Sequence, residues 1–176
     1  MVTRTLHNAK ERMGPEEQLD LSDRPAPLEP TAIVFGVRHR STAISADDDP
    51  ALVEDPLDPS GRPGFRAPYV PVTGVVTSTT RLFGQDWVLI AGPGGAAWLG
   101  AAEQAASALG IGLRGVLVGA HLVDPDGTLT AKYGIGTAGA SLVRPDGVVA
   151  WRSAAALSDP AGVLERVLAR LLDRQW

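Results

Sequence analysis

The sequence predicts an α/β fold, a mixed sheet flanked by helices with an irregular N-terminal extension. Three observations carry that expectation. Trp87-Val-Leu-Ile-Ala91 is a short continuous apolar run, the pattern of a strand covered on both faces. Residues 96–109 form an alanine-rich helical pattern with Trp98, Leu99, Ala102, Ala106 and Leu109 on one side and Gly110 as its stop. Near the end of the chain Val163, Leu164, Val167, Leu168, Leu171 and Leu172 recur as adjacent pairs every four residues, after Ser158 or Asp159 as cap and Pro160 in the first turn. Strands alternating with helices of this kind build a sheet with helices packed on its faces.

Taken in order, residues 1–30 hold Lys10-Glu11-Arg12, Glu16-Glu17 and prolines at 15, 25, 27 and 30. Apolar residues are too sparse there to bury much surface, so a short helix over 3–13 followed by flexible linker is expected. Thr31-Ala-Ile-Val-Phe-Gly-Val37 reads as a strand, rich in β-branched and aromatic residues, that runs on into Arg38-His-Arg-Ser-Thr42. Residues 46–64, with Asp47-Asp48-Asp49 and several prolines, form a long irregular connection. The expected organisation is thus a flexible segment 1–30, an extended strand and Pro/Asp-rich linker 31–61, and a main domain 62–176.

Within that domain residues 69–76 are expected as a strand that Pro68 and Pro71 confine to an edge, and residues 80–83 as a turn. Residues 113–122 supply the strand after the first helix, and Asp124-Pro-Asp-Gly127 a turn. Two apolar runs, residues 140–143 and 148–151, flank Arg144-Pro-Asp-Gly147, which predicts a β-hairpin. Leu122-Val-Asp-Pro-Asp-Gly127 and Leu142-Val-Arg-Pro-Asp-Gly147 are nearly alike. A stacked array needs at least about three copies, so these are two similar turns.

The chain of 176 residues suits one domain with irregular flanks. Its net charge of −4 comes from interspersed acids and bases, without the basic stripe that nucleic acid or an anionic membrane would require. It has no cysteine, so disulfides, thiolate metal sites and thiol redox chemistry are excluded. No apolar run approaches the roughly 18 residues of a membrane span, and a cytoplasmic protein is the expectation.

Several constellations could carry chemistry. Gly134-Ile-Gly-Thr-Ala-Gly139 matches the dinucleotide fingerprint literally but precedes a strand, whereas pyrophosphate binding needs a helix N-terminus after it. Gly92-Pro-Gly-Gly-Ala-Ala97 sits in the right place, between a strand and a helix, but lacks the acidic residue after the next strand; a plain strand-to-helix turn explains it too. His121, Asp124 and Asp126 make a weak metal set. Arg38-His39-Arg40 could clamp a carboxylate or a flavin phosphate, or simply be the charged end of a strand. Trp98, Trp151 and Trp176 could stack a ligand, although core packing accounts for such settings. As acid–base candidates the sequence offers His39, His121, Asp124 and Tyr133, and it designates no cofactor-binding or metal residue.

Together Gly64-Phe-Arg-Ala-Pro-Tyr69, Leu82-Phe-Gly84, Trp87-Val-Leu-Ile-Ala-Gly-Pro93, Tyr133-Gly-Ile135 and Leu142-Val-Arg-Pro-Asp-Gly-Val-Val-Ala-Trp-Arg152 resemble the C-terminal domain of FAD-dependent aromatic hydroxylases. These are class A flavoprotein monooxygenases that act on aromatic polyketides and phenols. Phe35-Gly-Val-Arg-His-Arg-Ser41 is similar to the segment that leads out of the flavin and substrate part of those enzymes. The resemblance implies a thioredoxin-like fold over about residues 62–174 without redox cysteines. It carries over no catalytic residue and no FAD site, so FAD is expected only through a separate flavin subunit. The implied role is a non-catalytic accessory or oligomerisation module in aromatic-polyketide (antibiotic) biosynthesis, as a homodimer or with a flavin monooxygenase subunit, the strand at 31–37 pairing with that partner. The alternatives are a cofactor-free enzyme that cyclises, dehydrates or rearranges an aromatic polyketide, and the trans-acting piece of a split FAD-dependent hydroxylase.

Overall fold

Strand β2 (Trp87–Ala91) is flanked on both edges and covered on both faces. The structure, a computed structural model, describes residues 28–45 and 48–174. In its four-stranded sheet β3 (Leu113–Leu117) runs parallel to β2, and β5 (Ala140–Val143) pairs with β2 antiparallel on the other side. Strand β6 (Val149–Ser153) then pairs antiparallel with β5, giving the order β3-β2-β5-β6. Because side chains alternate along a strand, β2 feeds two cores. Val88 and Ile90 join Val70, Leu122, Leu129 and Tyr133 on one face, and Leu89 and Ala91 join Trp98, Ala102, Leu164 and Leu168 on the other.

The second face is covered by two long helices. Helix α2 (numbered in chain order; Ala97–Leu109) makes the crossover between the parallel strands and stops at Gly110, whose left-handed backbone (φ 61°) donates its N–H to Ala106 O. It buries Trp98, Ala101, Ala102, Ala105 and Leu109, so the inward face is rotated slightly from the expected one, with Leu99 and Ala106 at its margin. Helix α4 (Pro160–Leu171) starts at the Asp159 cap, whose carboxylate accepts from Gly162 N at 2.9 Å, and buries Leu164, Leu168, Ala169 and Leu171. The opposite face is covered by residues 65–83, by a two-residue ribbon of β1 (Thr73–Gly74) and β4 (Leu122–Val123), and by the short helix α3 (Leu129–Tyr133).

The hairpin expected at Arg144–Gly147 is present. Gly147 N donates to Arg144 O at 3.0 Å, Gly147 takes φ 79°, and the register slips between Leu142 and Val143. Pro at the second turn position and Gly in the left-handed position suit that turn-plus-bulge. The outer edge of β6 is closed by a strap from the earlier chain. Gly64 N donates to Val149 O (2.8 Å), Val149 N to Phe65 O (2.9 Å) and Ser45 N to Ala150 O (2.8 Å).

Three local expectations are corrected. The segment 31–37 is not a strand: Pro30–Phe35 is a six-residue helix, α1, and only Val37 makes a bridge, to Val53. Pro30 sits in its first turn, where its fixed φ favours helix, and Ile33 N and Gly36 N close turns on Glu29 O and Ala32 O. β-propensity expresses packing on a half-buried sheet, and none of α1 is buried. The strand expected over 69–76 shrinks to Thr73–Gly74, since Pro68 and Pro71 lack the N–H a ladder needs. The strand expected over 113–122 ends at Leu117, where Gly119 (φ 86°) turns the chain into β4. Residues 80–83 fall largely in a 3-10 turn, Thr79–Leu82. The helix expected over 3–13 lies outside the described residues.

Thr79 ties the loop layer together. Its buried hydroxyl accepts from Val70 N (3.0 Å) and donates to Pro68 O (2.7 Å). Ser141, equally buried in β5, has a hydroxyl without a partner. Thr79→Val therefore costs roughly 1–3 kcal/mol in urea unfolding, while Ser141→Ala leaves stability unchanged or raises it by up to about 1 kcal/mol.

Candidate functional site

The four acid–base candidates do not share a cavity. Tyr133 is fully buried at the end of α3, its phenol donating to Pro68 O at 2.9 Å, and burial pushes its pKa well up, so it is a structural hydroxyl. His121 is half-buried in the turn before β4, with Nδ1 accepting from Leu117 N at 3.0 Å. Asp124 accepts from Leu129 N at 2.7 Å and caps the entry to α3, while its other carboxylate oxygen is buried without a partner. His39 alone lines an open cavity, and His121, Asp124 and Tyr133 line neither it nor its neighbour. Among the described residues no group of three or more His, Asp or Glu side chains converges on a point where a metal could sit. No helix among them is long and apolar enough to cross a membrane.

Neither glycine motif fits a dinucleotide such as FAD. Gly92 N donates to Gly139 O (3.0 Å), Gly94 N to Thr137 O (2.7 Å) and Gly95 N to Gly92 O (2.8 Å), so these amides are spent on the protein itself. A Cβ on Gly92 would lie 2.5 Å from both Gly136 O and Thr137 O, and one on Gly139 would lie 2.1 Å from Ile135 O and Ser153 O. The two glycine-rich segments are packed against each other. They are glycine-rich because two backbones meet there, and no room remains for a pyrophosphate. Trp98 is buried and structural, its indole N–H donating to Ala138 O, and half-buried Trp151 meets it edge to face at 5.6 Å. Trp176 lies outside the described residues.

Two surface features remain. One is the apolar strip around α1, where Leu28, Ile33, Val34, Phe35, Val37 and Leu52 are all exposed, with the Arg66 guanidinium 5.9 Å from the Phe35 ring. The other is a cationic groove between residues 38–45 and α4, which brings Arg40 together with Arg170. The sequence pointed to Arg38-His39-Arg40 but not to Arg170. The signal was there, since Arg166 and Arg170 stand four apart on the polar face of the last helix. Arg38 itself is committed to structure: its Nε donates to Pro63 O (3.1 Å) and its guanidinium lies 5.4 Å from the Phe65 ring.

With this geometry in hand, comparison with known proteins is informative. The model of the family "Aromatic-ring hydroxylase, C-terminal" matches residues 60–175. The aklavinone 12-hydroxylase RdmE of Streptomyces purpurascens is 56% identical over 144 residues, which is 80% of this chain and 27% of that protein. The tetracenomycin A2 monooxygenase-dioxygenase of Streptomyces glaucescens is 38% identical over 167 residues, 93% of this chain and 29% of that protein. Among solved structures, a ternary complex of aklavinone-11 hydroxylase with FAD and aklavinone superposes with a TM-score of 0.80 at 52% identity, over 84% of this chain and 28% of that one. The flavin-dependent monooxygenase PieE, in complex with FAD and substrate, gives a TM-score of 0.69 at 33% identity, over 82% of this chain and 26% of that one. The chain thus spans less than a third of the length of these relatives.

Two outcomes follow. Gly92→Ala lowers unfolding stability by roughly 1–3 kcal/mol through overpacking, and FAD leaves the Tm of the unaltered chain unchanged in a thermal-shift series. Burial raises the pKa of Glu54 above its ordinary value of 4.5, against the opposing hydrogen bonds from Ser60. A raised carboxyl pKa means stability that is complete below the unfolded pKa and is lost as pH rises through the folded one. Glu54→Gln, which can still accept from Ser60, therefore gains on the unaltered chain as pH rises above the ordinary carboxyl range, read as the difference in urea midpoints.

Proposed function

Because the chain belongs to the aromatic-ring hydroxylase C-terminal family, we propose that it is the non-catalytic module of an aromatic-polyketide hydroxylase assembly, docking through residues 28–37 on the flavin-binding part of such an enzyme. The observation that carries the reading is α1: a helix of apolar residues that buries none of them. Exposed contiguous apolar surface of this kind marks an interaction site. Its position supports the choice of partner, since it lies ahead of residues 60–175, the part the family model matches, in a chain that covers 27–29% of its relatives' length. The structurally similar aklavinone-11 hydroxylase is a ternary complex with FAD and aklavinone.

On this reading FAD and substrate chemistry reside in the partner. This chain's own residues shape and support. The sheet order β3-β2-β5-β6 supports a thioredoxin-like reading of the domain, and the chain has no cysteine to do redox work. Tyr133 and Thr79 lock the loop layer through Pro68 O, and the strap from residue 38 onward joins α1 to β6. A closely packed core around Tyr133, with apolar surface outside rather than inside, favours a module over an enzyme with an interior pocket.

Mixing the chain with the flavin-binding portion of an aromatic-polyketide hydroxylase trimmed of its own C-terminal domain tests this. Size-exclusion with light scattering gives a yellow one-to-one complex, and Val34→Asp with Phe35→Asp abolishes it without changing the Tm of the chain. A monodisperse monomer unaltered by mixing, or a homodimer that excludes the flavin portion, overturns the proposal.

A further inference from the structure

We propose that the groove between residues 38–45 and α4 binds a small aromatic carboxylate, its carboxylate held by Arg40 and Arg170 and its ring laid against Trp151 and Val167. The groove has two adjoining lobes of about 590 and 550 Å³ that share Ser45 and Arg170 in their walls. Each lobe lies in the size range of small-molecule sites, roughly 300–1,000 Å³. Arg40 and Arg170 both line the first lobe, both are exposed, and among the described residues neither guanidinium makes a hydrogen bond or ion pair. Two guanidinium forks facing one space match the planar, two-oxygen geometry of a carboxylate.

The balance of charge favours an anion. Of the carboxylates in the first lobe, Asp49 pairs with Arg62, which leaves Asp173 as its opposing charge. The second lobe holds Asp48 together with Arg152, which also donates to Ser60 O (3.0 Å), and Arg166, which also faces Asp159 at 3.9 Å. A chain with net charge −4 thus gathers arginines at this one groove. The walls are fixed in advance. Ser45 N is held by Ala150 O, His39 N by Gly64 O at 2.7 Å, and Arg38 by Pro63 O. The second lobe supplies apolar walls, Pro63, Trp151 and Val167, beside the arginines, which argues for an acid carrying a flat apolar body rather than for a bare anion. This surface uses different residues from the docking strip, so the inference stands apart from the proposed partner.

Isothermal titration of the full chain with 2-naphthoate, 2-naphthamide and inorganic phosphate tests it. Naphthoate binds at least about tenfold more tightly than either of the others, and rising salt weakens it. Arg170→Gln and Arg40→Gln each reduce naphthoate affinity by about tenfold or more. Asp173→Asn strengthens it, and that variant folds because asparagine tolerates the left-handed backbone (φ 52°) held there by the aspartate. Equal binding of the amide removes the carboxylate from the proposal, and phosphate binding as tightly as naphthoate removes the ring. No binding at millimolar naphthoate, or no response to the arginine substitutions, overturns it.

Discussion

A strand that is apolar at every position has to be paired on both edges and covered on both faces, and β2 imposes that requirement on the rest of the chain. Val88, Leu89, Ile90 and Ala91 are fully buried. Supplying two edges calls for β3 on one side and β5 on the other; supplying two faces calls for α2 and α4 below and the loop layer with α3 above. The parallel partner demands a crossover, which α2 makes, and the antiparallel one allows a hairpin to extend the sheet to β6. At roughly 25 cal/mol per Å² of apolar surface buried, this central stack is the main source of stabilisation.

Where structure follows from local pattern, the sequence was legible. The five-residue apolar run, the alanine-rich helix with its glycine stop, the Pro-Asp-Gly hairpin and the amphipathic last helix all form as their periodicity implies, because each pattern has its partner in the fold. Residues 31–37 failed for the complementary reason. Their β-branched side chains suit a ladder, and no ladder is within reach, so Pro30 and the local turn hydrogen bonds decide the outcome. The cationic groove was only half legible, since Arg40 and Arg170 meet through tertiary packing that no spacing rule encodes. The acid–base candidates were chosen by residue type, and burial then separated them: Tyr133 into the core, His39 onto the surface.

Membership of the hydroxylase C-terminal family does not make either glycine-rich segment of this chain a nucleotide site. Both glycine-rich segments look like nucleotide motifs in one dimension. In three dimensions they are two halves of a single close contact, the amides of one donating to the carbonyls of the other. Glycine serves close approach in both cases, to a phosphate or to another backbone, and only the spent amides tell the two apart.

The strap across β6 bears on the order in which the molecule assembles. The β5–β6 hairpin joins near neighbours, whereas the strap brings Ser41 to Arg144, 103 residues away. Contacts that close so long a loop return nothing until most of the chain is already in place. Loop-closure entropy therefore favours the hairpin and β2 pairing ahead of the segment that bears α1 and Arg40. The surfaces proposed to face a partner and a ligand thus lie in the layer held by the longest-range contacts, where they can adjust to what they meet without loosening the core.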